Sequence, residues 1–192
     1  LYAQLEITDK SGNKAIIGTD KTWRWSDDGK IRFADNKDGE IIEAWRTPSY
    51  GGFARETECV VTPVASNNVP VTEHERFSAV NVITTPGGAK VLDFGQNIAG
   101  YISFAVNAKK GQKIKLRFGE MFDENDEFTQ KNFQCANKKR TRVTPRQQIE
   151  YYCKDGSNEY KTKFAVFGFQ YVLIESDVEW KKEDFTAVSV CS

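Results

Sequence analysis

VLDFGQNIAGYISFAV, residues 91–106, is the stretch that decides the fold. Val91 and Leu92 read as a short strand, Asp93-Phe94-Gly95-Gln96-Asn97 as a polar turn, and Tyr101–Val106 as a second strand. Gly95 and Gly100 bracket the turn, where a residue without Cβ can take φ > 0 or admit a second backbone. Asp93, Gln96 and Asn97 place three hydrogen-bonding side chains together, and such groups ordinarily bond local backbone.

The pattern continues on both sides. Lys113–Phe118 alternates strictly, with Ile114, Leu116 and Phe118 on one face and Lys113, Lys115 and Arg117 on the other. Ile149, Tyr151 and Cys153 alternate against Gln148, Glu150 and Tyr152, and Asp155-Gly156 supplies the next turn. Phe164–Ile174 and Phe185–Cys191 complete the set, with one helical turn expected over Glu179–Asp184. On the N-terminal side, Phe77–Thr85 reads as one strand before the Pro86-Gly87-Gly88 turn. Leu1–Ile7 reads as a half-buried strand that returns as Ala15–Gly18, and Trp23 and Trp25 share a face of Thr22–Ser26. Residues 27–43 read as a polar loop.

Short, turn-punctuated strands without a long 3.6-residue period predict an all-β chain. The expected architecture is an antiparallel, jelly-roll-like β-sandwich: a partial first sandwich followed by a complete second one. Residues 1–60 are the C-terminal part of the first. Residues 61–80, with Pro63 and Pro70 around Ala65-Ser66-Asn67-Asn68, are a connector, and residues 81–192 are the second sandwich.

Bulk properties narrow the function. The 27 Lys and Arg balance the 27 Asp and Glu, which argues against a nucleic acid or anionic membrane held by net charge. The basic run Lys138-Lys139-Arg140, with Arg142 and Arg146, lacks interleaved aromatics and reads as a solvated loop or a docking face. No apolar run approaches the roughly 18 residues of a membrane span. No targeting segment is visible, which leaves cytoplasmic and exported placements open. The chain opens on Leu1 and its one Met is Met121, as expected of a piece of a longer protein. Cys59, Cys135, Cys153 and Cys191 form no C-x-x-C pair, so zinc and dithiol redox chemistry are not indicated; Cys153 and Cys191 read as small core residues. The single histidine, His74, excludes a multi-histidine metal site within the chain and reads as an exposed connector residue.

The phrase Asp93–Gly100, D-F-G-Q-N-x-x-G followed by an aromatic strand, resembles the opening of a β-sandwich domain in bacterial α-L-rhamnosidases of glycoside hydrolase family 78. Gly119-Glu120, Phe128–Asn132 (FTQKN) and Phe164–Val172 (FAVFGFQYV) resemble later phrases of that domain, in the same order. Thr19–Trp23 (TDKTW) and Gly39–Arg46 (GEIIEAWR) resemble the end of the jelly roll that precedes it.

The resemblance implies a non-catalytic module that supports a catalytic (α/α)6 barrel on the same polypeptide and shapes one wall of its site. That barrel would begin near Ser192, and its acidic catalytic phrases have no counterpart here, so no catalytic residue is assigned. Glycoside hydrolysis needs two carboxylates about 5 Å apart for retention or about 6.5–9.5 Å for inversion. The densest acidic run, Glu120–Glu127, reads as a solvated loop. Asp123, Asn125 and Glu127 have EF-hand spacing, but Phe128 and Gln134 stand where that loop needs Gly and Glu.

The alternative function that the resemblance implies is a calcium-dependent, rhamnose-binding module. There Asp35, Asn36 and Asp38 would be the metal ligands, and Asp38, Glu40 and Trp45 (or Trp23 or Trp25) would contact a rhamnose-containing glycan. Glu43 stands where the family phrase has Asp, and Trp45 is inserted before Arg46. The cofactor expectation is therefore either none or calcium.

Overall fold

A computed structural model describes residues 3–58, 60–62, 64, 69–135 and 144–192. Cys59, most of the Pro63–Asn68 connector and the basic residues Lys138, Lys139, Arg140 and Arg142 lie outside the described residues. In chain order the strands are β1 (Gln4–Thr8), β2 (Lys14–Gly18), β3 (Arg24–Trp25), β4 (Ile31–Asp35), β5 (Gly39–Glu43) and β6 (Gly52–Phe53). Then follow β7 (Thr72–Ser78), β8 (Asn81–Thr84), β9 (Lys90–Ala108), β10 (Lys113–Gly119), β11 (Met121–Phe122) and β12 (Phe128–Thr129). The last are β13 (Gln148–Tyr152), β14 (Gly156–Lys161), β15 (Phe167–Ser176) and β16 (Phe185–Cys191). A short 3-10 turn, Lys182–Asp184, precedes β16, where one helical turn was expected.

The chain divides into two compact units, residues 1–29 with 47–69, and residues 30–46 with 70–192. In the first unit, β1 and β2 form an antiparallel hairpin whose turn is held by Asp9 Oδ1, which accepts from the N–H groups of Ser11 and Asn13. β3 and β6 form a second antiparallel ribbon. The alternation in β1 predicts a half-buried strand, yet all five of its residues are exposed, as are Ile16 and Ile17 of β2. An isolated two-stranded hairpin has no second layer to cover an apolar face.

The second unit is a β-sandwich. Its ten-stranded sheet runs β4-β5-β13-β10-β15-β9-β16-β7, with β8 and β14 also paired to β9. The first half of β9 pairs with β8 and β15, and its second half pairs with β14 and β16. One strand thus belongs to both layers. Residues 91–106 are therefore a continuous strand, where the sequence predicts strand, turn, strand. The polar residues make a bulge: the β9–β15 register shifts between Phe169 and Tyr171, opposite Phe94–Asn97, and Gly95 adopts φ 79°.

Between the layers lie Leu92, Phe94, Ile102, Phe104, Leu116, Phe118, Phe169 and Phe185, all buried. Each such side chain contributes about 1.5–3 kcal/mol of hydrophobic stabilisation. Phe104 of one layer meets Tyr151 of the other edge-on, with ring centroids 5.1 Å apart. The predicted inward set of Lys113–Phe118 is the buried set, and β16 spans the residues the sequence predicts.

Three boundaries differ from expectation. Residues 30–46 form β4 and β5 of the large sheet, not a loop of the first domain, and β5 pairs parallel with β13 in a sandwich expected to be antiparallel. Residues 72–78 form β7 of that sheet, within the stretch read as connector. Phe77–Thr85 splits into β7 and β8 at Ala79-Val80, because Ala79 turns into the core. Cys153 is buried and its thiol is pushed up to about 11 by burial, whereas Cys135 and Cys191 are exposed, the latter against its reading as core.

Candidate functional site

The family-like phrases of the second unit converge on one carboxylate. Asn97 Nδ2 donates to Glu120 Oε1 at 3.0 Å, and Asn132 Nδ2 donates to Glu120 Oε2 at 2.9 Å. Gly168 lies beside them: a Cβ built there would stand 3.2 Å from Glu120 Oε1. Four phrases, spread over more than seventy residues, thus meet around Glu120.

Their positions are fixed from behind. Asp93 Oδ1 accepts from the Gly95 N–H at 2.8 Å and from Gln170 Nε2 at 3.0 Å, tying the β9 bulge to β15. Buried Gln130 donates to the carbonyls of Phe118 (2.7 Å) and Arg146 (2.9 Å) and accepts from Arg117, which anchors the third phrase to β10. Phe122 and Tyr171 stack edge-on at 4.8 Å. Asn97, Glu120 and Asn132 themselves are exposed, and so are Val80, which packs against Gly95, and Met121. The face therefore offers an exposed carboxylate oriented by two amide side chains. Each phrase stands in the sequence, where Glu120 reads as part of a solvated acidic run. The rest of that run is a turn in which Asp123 Oδ1 accepts from the N–H groups of Asn125 and Glu127.

The residues singled out around 35–45 are placed differently. Along β5, Asp38, Glu40, Ile42 and Ala44 face inward, by the two-residue period of a strand. Glu40 is 1% exposed. Its Oε1 accepts from the N–H groups of Lys163 (2.9 Å), Phe164 (2.6 Å) and Ala165 (3.0 Å), and its Oε2 from the Tyr160 phenol. Asp38 Oδ1 accepts from the Arg146 N–H at 3.0 Å. Asp35 Oδ1 closes the β4–β5 turn by accepting from the N–H groups of Lys37 and Asp38; Asn36 is exposed in that turn. Among the described residues, no three His, Cys, Asp or Glu side chains are grouped to hold a metal ion. Trp45 is exposed beyond the end of β5, with Lys110 Nζ 4.6 Å and Arg46 Cζ 5.0 Å from its ring centroid. Trp23 and Trp25 are exposed in the first unit. His74 is exposed within β7, not in a connector.

A second charged cluster lies on the β7 side. Glu73 accepts from the Lys161 ammonium, from Tyr101 Oη at 2.6 Å and from Arg76 Nη2 at 2.8 Å. Lys161 first, then Tyr101, hold its carboxyl down at about 2. A carboxyl depressed in the fold stabilises it above the unfolded value near 4.5, and that contribution disappears as pH falls towards 2. In a carboxyl-carbon NMR titration, Glu73 is expected to titrate near 2 in the parent chain and to move up towards 4.5 in Lys161→Met. Unchanged titration in the variant would show that Lys161 is not the cause.

The chain is similar to known proteins in sequence and in fold. Residues 83–191 match the family described as the bacterial alpha-L-rhamnosidase concanavalin-like domain. An alpha-L-rhamnosidase of Alteromonas sp. (strain LOR) is 28% identical over 195 residues, covering 93% of this chain and 20% of that protein. One from Formosa agariphila is 28% identical over 185 residues, covering 90% of this chain and 19% of that protein. The crystal structure of Streptomyces avermitilis alpha-L-rhamnosidase complexed with L-rhamnose superposes on 100% of this chain and 19% of that one, with a TM-score of 0.79 and 24% identity. At that identity the likeness shows the fold. The chain spans about a fifth of the length of the curated relatives it matches.

Proposed function

This chain belongs to the bacterial α-L-rhamnosidase concanavalin-like domain family, and we propose that it serves an α-L-rhamnosidase as a non-catalytic β-sandwich module that buttresses the catalytic domain of the same polypeptide. The observation that carries the proposal is the meeting of four phrases on Glu120. Exposed hydrogen bonds of this kind contribute little to folding in water. An oriented carboxylate on the surface, with apolar Met121 exposed next to it in the chain, suits a face that meets another domain. The buried carboxylates among the described residues, Asp38 and Glu40, are held by backbone N–H groups and a phenol, an arrangement that anchors loops and does not reach a glycosidic oxygen. Cleavage of the α-L-rhamnoside bond then belongs to the other domain.

Glu120→Ala tests the role of this face. In the chain alone the expected change in stability is within about 0.5 kcal/mol, as for other surface positions. In the full-length enzyme the same change is expected to cost about 1.5–3 kcal/mol, the range for a hydrogen bond to a charged group at a packed interface. Thermal unfolding of both proteins reads the difference. Equal shifts in both, or none in the full-length enzyme, would remove Glu120 from the interface.

A further inference from the structure

The second unit's sandwich is open at one end. A cavity of about 550 Å³ lies between β4, β5 and β13 of one layer and β14 of the other, within the 300–1,000 Å³ typical of small-molecule sites. Its floor is carbon: Ile42 and the rings of Tyr151 and Tyr160, all buried at the edge of the core. Both phenols are turned away to internal acceptors, Tyr151 to Asn158 Oδ1 at 3.4 Å and Tyr160 to Glu40. Ring and methyl surface is what remains for a ligand.

The rim is cationic. Lys30, Lys154 and Lys163 line the opening from three separate segments, against a single acid, Glu159. Among the described residues, none of the three ammonium groups has a hydrogen-bond or ion-pair partner, whereas Lys115 and Lys161 are paired with Glu175 and Glu73. Two of the three stems start from fixed backbone. The Lys154 N–H donates to Asn158 Oδ1 at 2.9 Å and the Lys163 N–H to Glu40 Oε1 at 2.9 Å. In a chain of zero net charge this is a local excess of positive charge over a partly enclosed apolar floor, which attracts an anion more strongly than the same charges in open water.

We propose that this cavity binds an acidic sugar, a pyranose unit bearing a carboxylate or a sulfate. The flat C–H face of the ring would lie on Tyr151, Tyr160 and Ile42, and its anionic group would sit between Lys154, Lys163 and Lys30. A bare anion would leave the carbon floor uncovered, and a neutral sugar would leave the three ammonium groups uncompensated. The proposal stands on this cavity alone and is independent of the Glu120 face.

The test titrates the chain with trigalacturonate, its fully methyl-esterified form, galactose 6-sulfate and inorganic sulfate, followed by amide NMR and calorimetry. The expected result is saturable shifts at Ser157, Glu159 and Lys163 with trigalacturonate or galactose 6-sulfate, the stronger of the two naming the anionic group. Binding of the neutral ester is expected to be about tenfold weaker or more, and the Lys154→Gln/Lys163→Gln double variant to lose about tenfold while keeping its circular dichroism. Equal binding of acid and ester, shifts with inorganic sulfate of the same size as with the sugars, or no saturable shift at these amides would each overturn the proposal.

Discussion

Glu40→Ala is expected to lower the stability of the second unit by about 3–5 kcal/mol, the range for breaking a buried charged network. The carboxylate accepts hydrogen bonds from four donors in a site with almost no access to water. Alanine removes every acceptor at once and leaves the N–H groups of Lys163, Phe164 and Ala165 and the Tyr160 phenol without partners. Each buried unpaired donor costs about 1–3 kcal/mol, partly recovered where the loop can relax towards solvent. Glu40→Gln separates geometry from charge. Its remaining oxygen can serve the three amides, and its NH2 can donate to the Tyr160 oxygen once that phenol rotates. The expected cost is then about 1–2 kcal/mol. Urea unfolding measures both, as a lowered midpoint at unchanged slope. An alanine variant within 1 kcal/mol of the parent chain would mean that water replaces the carboxylate.

Gly100→Ala is expected to cost roughly 2–4 kcal/mol, as overpacking against rigid backbone does. Gly100 is where β9 passes from one layer to the other, paired with Phe167 of β15 and Ser189 of β16. An added Cβ would stand 2.9 Å from the Val188 carbonyl carbon and 3.0 Å from Ser189 Cα, and closer still to the Val188 oxygen. These are backbone atoms between two strands and cannot rotate aside. Gly18→Ala is the control, because nothing lies within 4 Å of a Cβ there, and it is expected to be neutral within about 0.5 kcal/mol. Similar melting temperatures for both variants would show that β9 and β16 can separate without cost.

Where burial follows local alternation, the fold was legible from the chain. Lys113–Phe118 shows this: the period of two says which side chains turn inward, and the core follows. The site was not legible in the same way. In the sequence Asp38 and Glu40 read as candidate ligands in a polar loop, because carboxylates usually face water. Their inward placement depends on N–H groups 108 to 125 positions away, which only the paired sheet brings close. The parallel β5–β13 pairing has the same long-range origin. Asp93, Gln96 and Asn97 looked like a turn because polar groups near glycine usually make one. Here β15 runs alongside and converts the irregularity into a bulge. Glu120 stands in a family-like phrase, but its partners Asn97 and Asn132 are 23 and 12 positions away and meet it only through the sheet.

The most direct test of the non-catalytic role is to incubate this 192-residue chain with p-nitrophenyl α-L-rhamnopyranoside and follow p-nitrophenol release. The expected result is release at the rate of the buffer alone at every protein concentration. Release that rises in proportion to the protein, and falls in Glu120→Ala, would contradict it and place the chemistry in this sandwich.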